Sequence, residues 1–180
     1  MNKTLKNIFS LVLTLALISA LVLAADGAAQ KRIDAAAAQR ALERYNLVLS
    51  ASSFAPVEAD LSAYPGISEI VRAEDGSGWV ITTLTRGAKS DITMLTGIGP
   101  DGLCTGISVI SHGETEGLGA VAADPGEEGT AFRAQFTGAD EAVALIADGG
   151  EIDAVTGATI TSRAITEAVA EAVAAVKTLG

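Results

Sequence analysis

Four hydroxyl side chains crowd into ten residues near the C-terminus: Thr156, Thr159, Thr161 and Ser162, within Asp153-Ala154-Val155-Thr156-Gly157-Ala158-Thr159-Ile160-Thr161-Ser162. Gly157 can take backbone angles closed to other residues, and Ala158 leaves room for a bulky neighbour. A run of helical periodicity begins directly afterwards. The hydroxyls therefore sit where a helix presents unpaired N–H groups and the positive end of its dipole, a setting suited to phosphate. The same residue types also suit plain structure, with Thr161 or Ser162 capping the helix and Gly157 turning the chain. No GxxxxGK[ST] phosphate loop accompanies them.

A second stretch with chemical potential is Ser111-His112-Gly113-Glu114-Thr115-Glu116-Gly117-Leu118-Gly119, too rich in glycine for a regular element and read as a shaped loop. His112 is the lone histidine, and a lone histidine is more often a hydrogen-bonded structural residue than a proton donor. The single cysteine, Cys104, closes no intrachain disulfide, and with one histidine it builds no structural zinc site. It is read as a small apolar strand residue, because nothing electropositive surrounds it in sequence.

These residues need elements to hold them. Ile165, Val169, Val173 and Val176 fall on one face of a final helix. Trp79–Thr85, Ile92–Ile98 and Leu103–Ile110 are rich in strand formers, and Gly99-Pro100-Asp101-Gly102 turns the last two into an antiparallel hairpin. Thr130–Phe136 is a short piece, Asp140–Ala147 reads as a small helix stopped by Gly149-Gly150, and Ile152–Val155 as a last brief strand. The expected fold class is α+β, a mainly antiparallel sheet with packed helices, preceded by an N-terminal transmembrane helix.

The 180 residues suffice for one domain and an appendage. Residues are 49% hydrophobic but only 4% aromatic, so the core must be built from Ala, Val, Ile and Leu. A net charge of -10 argues against nucleic acid as a partner, since phosphates demand a basic footprint. Ile8–Ala25 carries no charge and is long enough to cross a thin hydrocarbon layer. It is read as a retained single-pass anchor; a cleaved signal peptide is the alternative, with a poor cleavage site at Ala25-Asp26-Gly27. Lys3 and Lys6 on one side nearly balance Lys31 and Arg32 on the other, so charge alone sets orientation weakly. The expected organisation is an anchor over 1–27, a juxtamembrane helix over 28–50 and a ligand-carrying domain over 51–180.

Asp153-x-x-Thr156-Gly157-Ala158-Thr159 resembles the flavinylation motif of the FMN-binding domain family. That domain occurs in the G subunit of Rnf electron-transport complexes and the C subunit of sodium-translocating NADH:quinone reductases. His112-Gly113-Glu114-Thr115-Glu116-Gly117-Leu118-Gly119 resembles the family's H-x-E-T-P-G-L-G loop. Phe132-Arg133-Ala134-Gln135-Phe136-Thr137-Gly138 resembles its aromatic-x-x-Gln-Phe-x-Gly segment. The likeness runs from about Gly78 to Val176, and short length favours the Rnf G subunit.

The resemblance implies FMN esterified through its phosphate to Thr159, with Glu114 and Thr115 beside the flavin and Gly117, Leu118 and Gly119 allowing close approach. Thr156, Gly157, Ala158, Thr161 and Ser162 would shape the phosphate site. Asp153 would orient the threonine, be read by a partner enzyme or cap the turn. It further implies a magnesium-dependent flavin transferase for maturation, other Rnf subunits as partners, and a domain on the extracytoplasmic face of the cell membrane. The family's loop proline is Glu116 here, which puts loop rigidity and flavin potential in question but not the attachment motif. Two other readings remain, a stand-alone extracytoplasmic flavoprotein and a non-redox membrane-anchored binding module.

Overall fold

A computed structural model describes residues 32–179. The anchor expected over 1–27 lies outside the described residues, and no helix among the described residues is long and apolar enough to cross a membrane. Two compact units divide between Ala41 and Leu42. Residues 32–45 are helical (α1), inside the span expected to be a helix, and the last turn of α1 belongs to the second unit.

The second unit is built on a five-stranded antiparallel meander, β1 (Phe54–Pro56), β2 (Ile67–Ala73), β3 (Trp79–Arg86), β4 (Asp91–Ile98) and β5 (Cys104–Ser111), in that spatial order. The expected hairpin is β4–β5, with Leu95 opposite Ser108 and Thr96 opposite Ile107. Its Gly99–Gly102 turn is closed by the Gly99 amide donating to Leu103 O at 2.8 Å, and Gly102 has φ +77°.

Helix α3 (Thr159–Leu179) lies across one face of this sheet, and α2 (Glu127–Ala134) packs at its side. Eleven of the 21 residues of α3 are buried. Ala168 and Ala172 keep the helix close, while Ile165, Val169, Val173 and Val176 fill the space above Ile81, Ile92, Met94 and Ile98. Fully burying each such branched side chain contributes about 1.5–3 kcal/mol, so this layer dominates the unit's stability. Phe132 and Phe136 meet edge to face at 5.3 Å within the same core.

The opposite face of the sheet is covered by Tyr45, Val48 and Leu49, all buried. Tyr45 donates to Glu69 at 3.0 Å, and Thr105 Oγ1 donates to Val48 O at 2.6 Å. Covered on both faces, β4 is buried at six of its eight positions, so burial does not alternate along it.

Two local expectations change, and one unassigned piece gains an element. Asp140–Ala147 is not a helix but a series of turns ending in a 3-10 turn, Ile146–Asp148. Asp140 Oδ1 accepts the Ala142 amide at 2.9 Å, and Ala144 O accepts the Glu151 and Ile152 amides. Helical partners are thus lost to the returning chain. Ile152–Val155 is reduced to a single parallel bridge between Leu145 and Ile152. The short piece at Thr130–Phe136 is largely the helix α2.

A Cβ on Gly97 would stand 2.4 Å from the carbonyl oxygen of Val48 and 2.4 Å from Thr105 Oγ1. Gly97→Ala is expected to destabilise the domain by about 2 kcal/mol, seen as a lower urea midpoint with an unchanged m value.

Candidate functional site

The hydroxyl cluster straddles the start of α3, which begins at Thr159. Gly157 has φ +74°, the left-handed conformation that turns the chain into the helix. The first bond of the ladder runs from the Ser162 amide to Ala158 O at 2.9 Å. The amides of Thr159, Ile160 and Thr161 precede it and lack an intrahelical acceptor. No acidic residue occupies this first turn, although the chain has 22 acids and acids are favoured there.

Helical geometry divides the motif. Thr156, Gly157, Thr159 and Ile160 are exposed, whereas Ala158, Thr161 and Ser162 are buried. Ser162 Oγ accepts the Val155 amide at 3.1 Å, and Thr161 Oγ1 donates to Glu114 Oε2 at 2.6 Å. Neither hydroxyl lies at the start of the helix, so the expectation that Thr161 or Ser162 caps it is corrected, and both are engaged inside the protein. They hold the first turn of α3 down onto the chain beneath it.

Glu114 is the partner that organises this region. It is 8% exposed and its carboxylate accepts five donors. The amide of Ala88 reaches Oε2, while the amides of Lys89 and Ser90 and the Ser90 hydroxyl reach Oε1 at 2.8–3.2 Å. These come from the β3–β4 turn, closed by the Gly87 amide on Ser90 O and by the Arg86–Asp91 ion pair. Two glycines make room for the carboxylate: a Cβ would lie 2.7 Å from Oε1 at Gly87 and 2.5 Å from Oε2 at Gly119. The Glu114 side chain is turned inward.

The rest of the glycine-rich loop stays outside. His112, Thr115, Glu116 and Gly117 are exposed, and Leu118 is 45% exposed. Leu118 reaches the motif, because its Cδ2 lies 3.1 Å from where a Cβ on Gly157 would stand. The loop and the hydroxyl cluster, about forty residues apart in sequence, therefore form one surface around Thr159, with Leu118 and Ile160 as its exposed apolar members.

Gln135 secures the approach to the motif. Its side-chain amide accepts the Asp153 N–H at 2.7 Å and donates to the Asp153 carbonyl at 3.1 Å. The Asp153 carboxylate has no hydrogen-bond partner among the described residues and faces solvent, so it does not cap the turn. Cys104 is 2% exposed, and burial pushes its thiol up to about 11, in keeping with an inert strand residue.

The Ala88–Ser90 amides have no counterpart among the residues expected at the site, since backbone donors leave no side-chain signature. Arg86-Gly87-Ala88-Lys89-Ser90-Asp91 between two strand-like runs is nevertheless a turn signal. Gln135 stands in a motif-like segment whose spacing assigns it no role.

Residues 87–174 match the model of the FMN-binding domain. Over 98 residues the chain is 39% identical to the G subunit of the ion-translocating oxidoreductase complex of Methanosarcina acetivorans, covering 53% of this chain and 50% of that protein. Over 97 residues it is 40% identical to the G subunit of the Na(+)-translocating ferredoxin:NAD(+) oxidoreductase complex of Acetobacterium woodii, covering 50% and 44%. The proton-translocating counterpart of Clostridium ljungdahlii is 38% identical over 104 residues, covering 56% and 54%. The chain thus spans about half the length of the curated relatives it matches. In fold it is similar to the C subunit of the Na(+)-translocating NADH-quinone reductase of Parabacteroides distasonis, with a TM-score of 0.51, 20% identity, and 76% and 81% of the two chains covered.

Burial raises the Glu114 carboxyl, but hydrogen bonds from Thr161, Lys89 and Ser90 outweigh it and hold the group at about 2. A depressed carboxyl contributes stability that is complete above its unfolded value near 4.5 and is lost as pH falls through about 2. Glu114→Gln should cost on the order of 3 kcal/mol at pH 7 and flatten the acid limb of stability over that window, measured by urea unfolding at stepped pH.

Proposed function

We propose, from an FMN-binding family domain over residues 87–174, that this chain is the G subunit of an Rnf-type ion-translocating ferredoxin:NAD oxidoreductase complex. On this reading FMN is esterified through its phosphate to Thr159, and the chain is an electron relay without a substrate site of its own. The observation that carries the reading is an exposed Thr159 at a helix start free of acids, two residues after the Gly157 that Leu118 approaches.

The residues present suit such a group. Amides of the first turn of α3 and the positive end of its dipole favour the one negative charge that a phosphodiester keeps. Gly157 holds the chain open beside Thr159, and Leu118 and Ile160 offer apolar contact for an aromatic ring. FMN, when bound, supplies the redox chemistry, and the protein supplies position and electrostatics.

Thr159 has no base hydrogen-bonded to it among the described residues, and an unaided threonine hydroxyl is a poor nucleophile. Attachment therefore calls for a separate enzyme, which the family resemblance implies is a magnesium-dependent flavin transferase. The unpartnered Asp153 carboxylate, on a backbone pinned by Gln135, is a feature for that enzyme to read. The uncharged run Ile8–Ala25 supports a single-pass anchor, with the domain on the extracytoplasmic face beside other Rnf subunits.

Coexpression with a flavin transferase should add the mass of one FMN less water to the wild-type chain. Thr159→Ala should abolish the gain and the in-gel flavin fluorescence, and Thr159→Ser should keep part of both. An adduct mapping to Thr156, or surviving in Thr159→Ala, rules out the assignment.

A further inference from the structure

Gln135 grips the first residue of the hydroxyl-rich motif from outside it. Its side-chain oxygen accepts the Asp153 N–H at 2.7 Å and its side-chain nitrogen donates to the Asp153 carbonyl at 3.1 Å, across 18 residues of sequence. These backbone groups belong to the two rigid peptide planes that meet at the Asp153 Cα. Holding both planes fixes both dihedrals of that residue, and with them the direction in which its side chain leaves the backbone. The carboxamide does here what a neighbouring strand does in a ladder.

The support behind this grip is firm. Gln135 caps the C-terminus of α2 and directly precedes Phe136, which is fully buried. Beyond Asp153 the chain is held at Val155, whose amide donates to Ser162 Oγ and whose carbonyl accepts the Ala158 amide. Among the described residues, Gln135 is the one side chain outside α3 that hydrogen-bonds to residues 153–159. Yet Gln135 and Asp153 are both exposed, beside an open cleft of about 640 Å³ walled by Gln135, Gly138, Val143, Gly150 and Ile152. Hydrogen bonds between exposed groups compete with water and contribute little to folding. What this pair controls is orientation.

Resting on the reading that a flavin transferase modifies Thr159, we propose that Gln135 is a positioning residue for that reaction, setting its efficiency through the Asp153 carboxylate. The transferase then meets a carboxylate already aimed, and the cost of ordering the chain around it does not fall on binding. In the transfer the Thr159 hydroxyl displaces AMP from FAD. Its Oγ–P bond forms, the bond between the FMN phosphorus and the oxygen that AMP keeps breaks, and the hydroxyl proton passes to solvent. Gln135 takes no part in those bonds. Its contribution is made when the chain binds, and so appears in KM.

The test uses the full chain, purified unmodified in detergent, with a purified flavin transferase, magnesium and FAD, following covalent flavin by in-gel fluorescence over a range of chain concentrations. A wild type that gains no flavin overturns the attachment and this proposal together. With the wild type modified, Q135M, D153N and the double variant are compared. Q135M keeps the length of the side chain and removes both bonds. It should lower kcat/KM about tenfold, through KM, with kcat and the urea midpoint near wild type. In the D153N background Q135M should change kcat/KM by less than about twofold, because the charge that Gln135 aims is gone.

A grip that serves folding alone predicts the same loss from Q135M in both backgrounds. That result, an unchanged or faster Q135M, or an unchanged D153N overturns the positioning role and leaves the attachment at Thr159 intact. If Q135M does not fold, Q135N decides in its place. Its amide falls one methylene short of Asp153, so the same loss in kcat/KM is expected, and a wild-type value overturns the role.

Discussion

One buried carboxylate holds together the parts that make the candidate site. Glu114 lies in the loop after β5, yet its donors come from the β3–β4 turn and from α3, three segments with no local reason to meet. Among the described residues no cation pairs with it. Its charge is met by three backbone amides and two hydroxyls, which together outweigh desolvation. Such a cluster is all-or-none, because a buried carboxylate deprived of some donors costs far more than any single bond contributes. The glycines at 87 and 119 follow from this constraint, since a methyl at either position would occupy the carboxylate's space.

The same constraint sorts the hydroxyl-rich motif. With Thr161 drawn down to Glu114, and Ser162 to the Val155 amide, the helix can present only Thr159 and Ile160 of its first turn to solvent. Gly157 and Leu118 then come into contact distance as a consequence of how α3 is seated, without a bond of their own. Gln135 does for the incoming chain what Glu114 does for the helix, gripping Asp153 by both of its backbone groups and leaving the carboxylate free.

Much of this is legible in the sequence where periodicity or turn chemistry is strong. The apolar face of α3, the β4–β5 hairpin and its Gly-Pro-Asp-Gly turn are local signals, and they appear in the fold as read. Asp140–Ala147 misleads because its residues suit a helix while the long-range partners of Ala144 decide otherwise. The motif can be located but not sorted into inward and outward hydroxyls, because that depends on a carboxylate 47 residues earlier in the chain. The surroundings of Glu114 are mostly backbone amides, which no residue pattern announces.

A cofactor tethered through one threonine keeps free rotation about several bonds, so its position depends on how firmly the threonine and its surroundings are held. Seating the proposed attachment residue at the start of a 21-residue helix packed along the sheet ties Thr159 to the core. A loop would not, because its openings cost little free energy. The proposed relay thus draws on two kinds of order: the apolar layer under α3 sets where the tether begins, and the polar cluster around Glu114 sets which way its first turn faces. Glu116 belongs to the exposed rim and takes no part in either layer. Any tuning it exerts on the proposed group would act through charge and not through either layer.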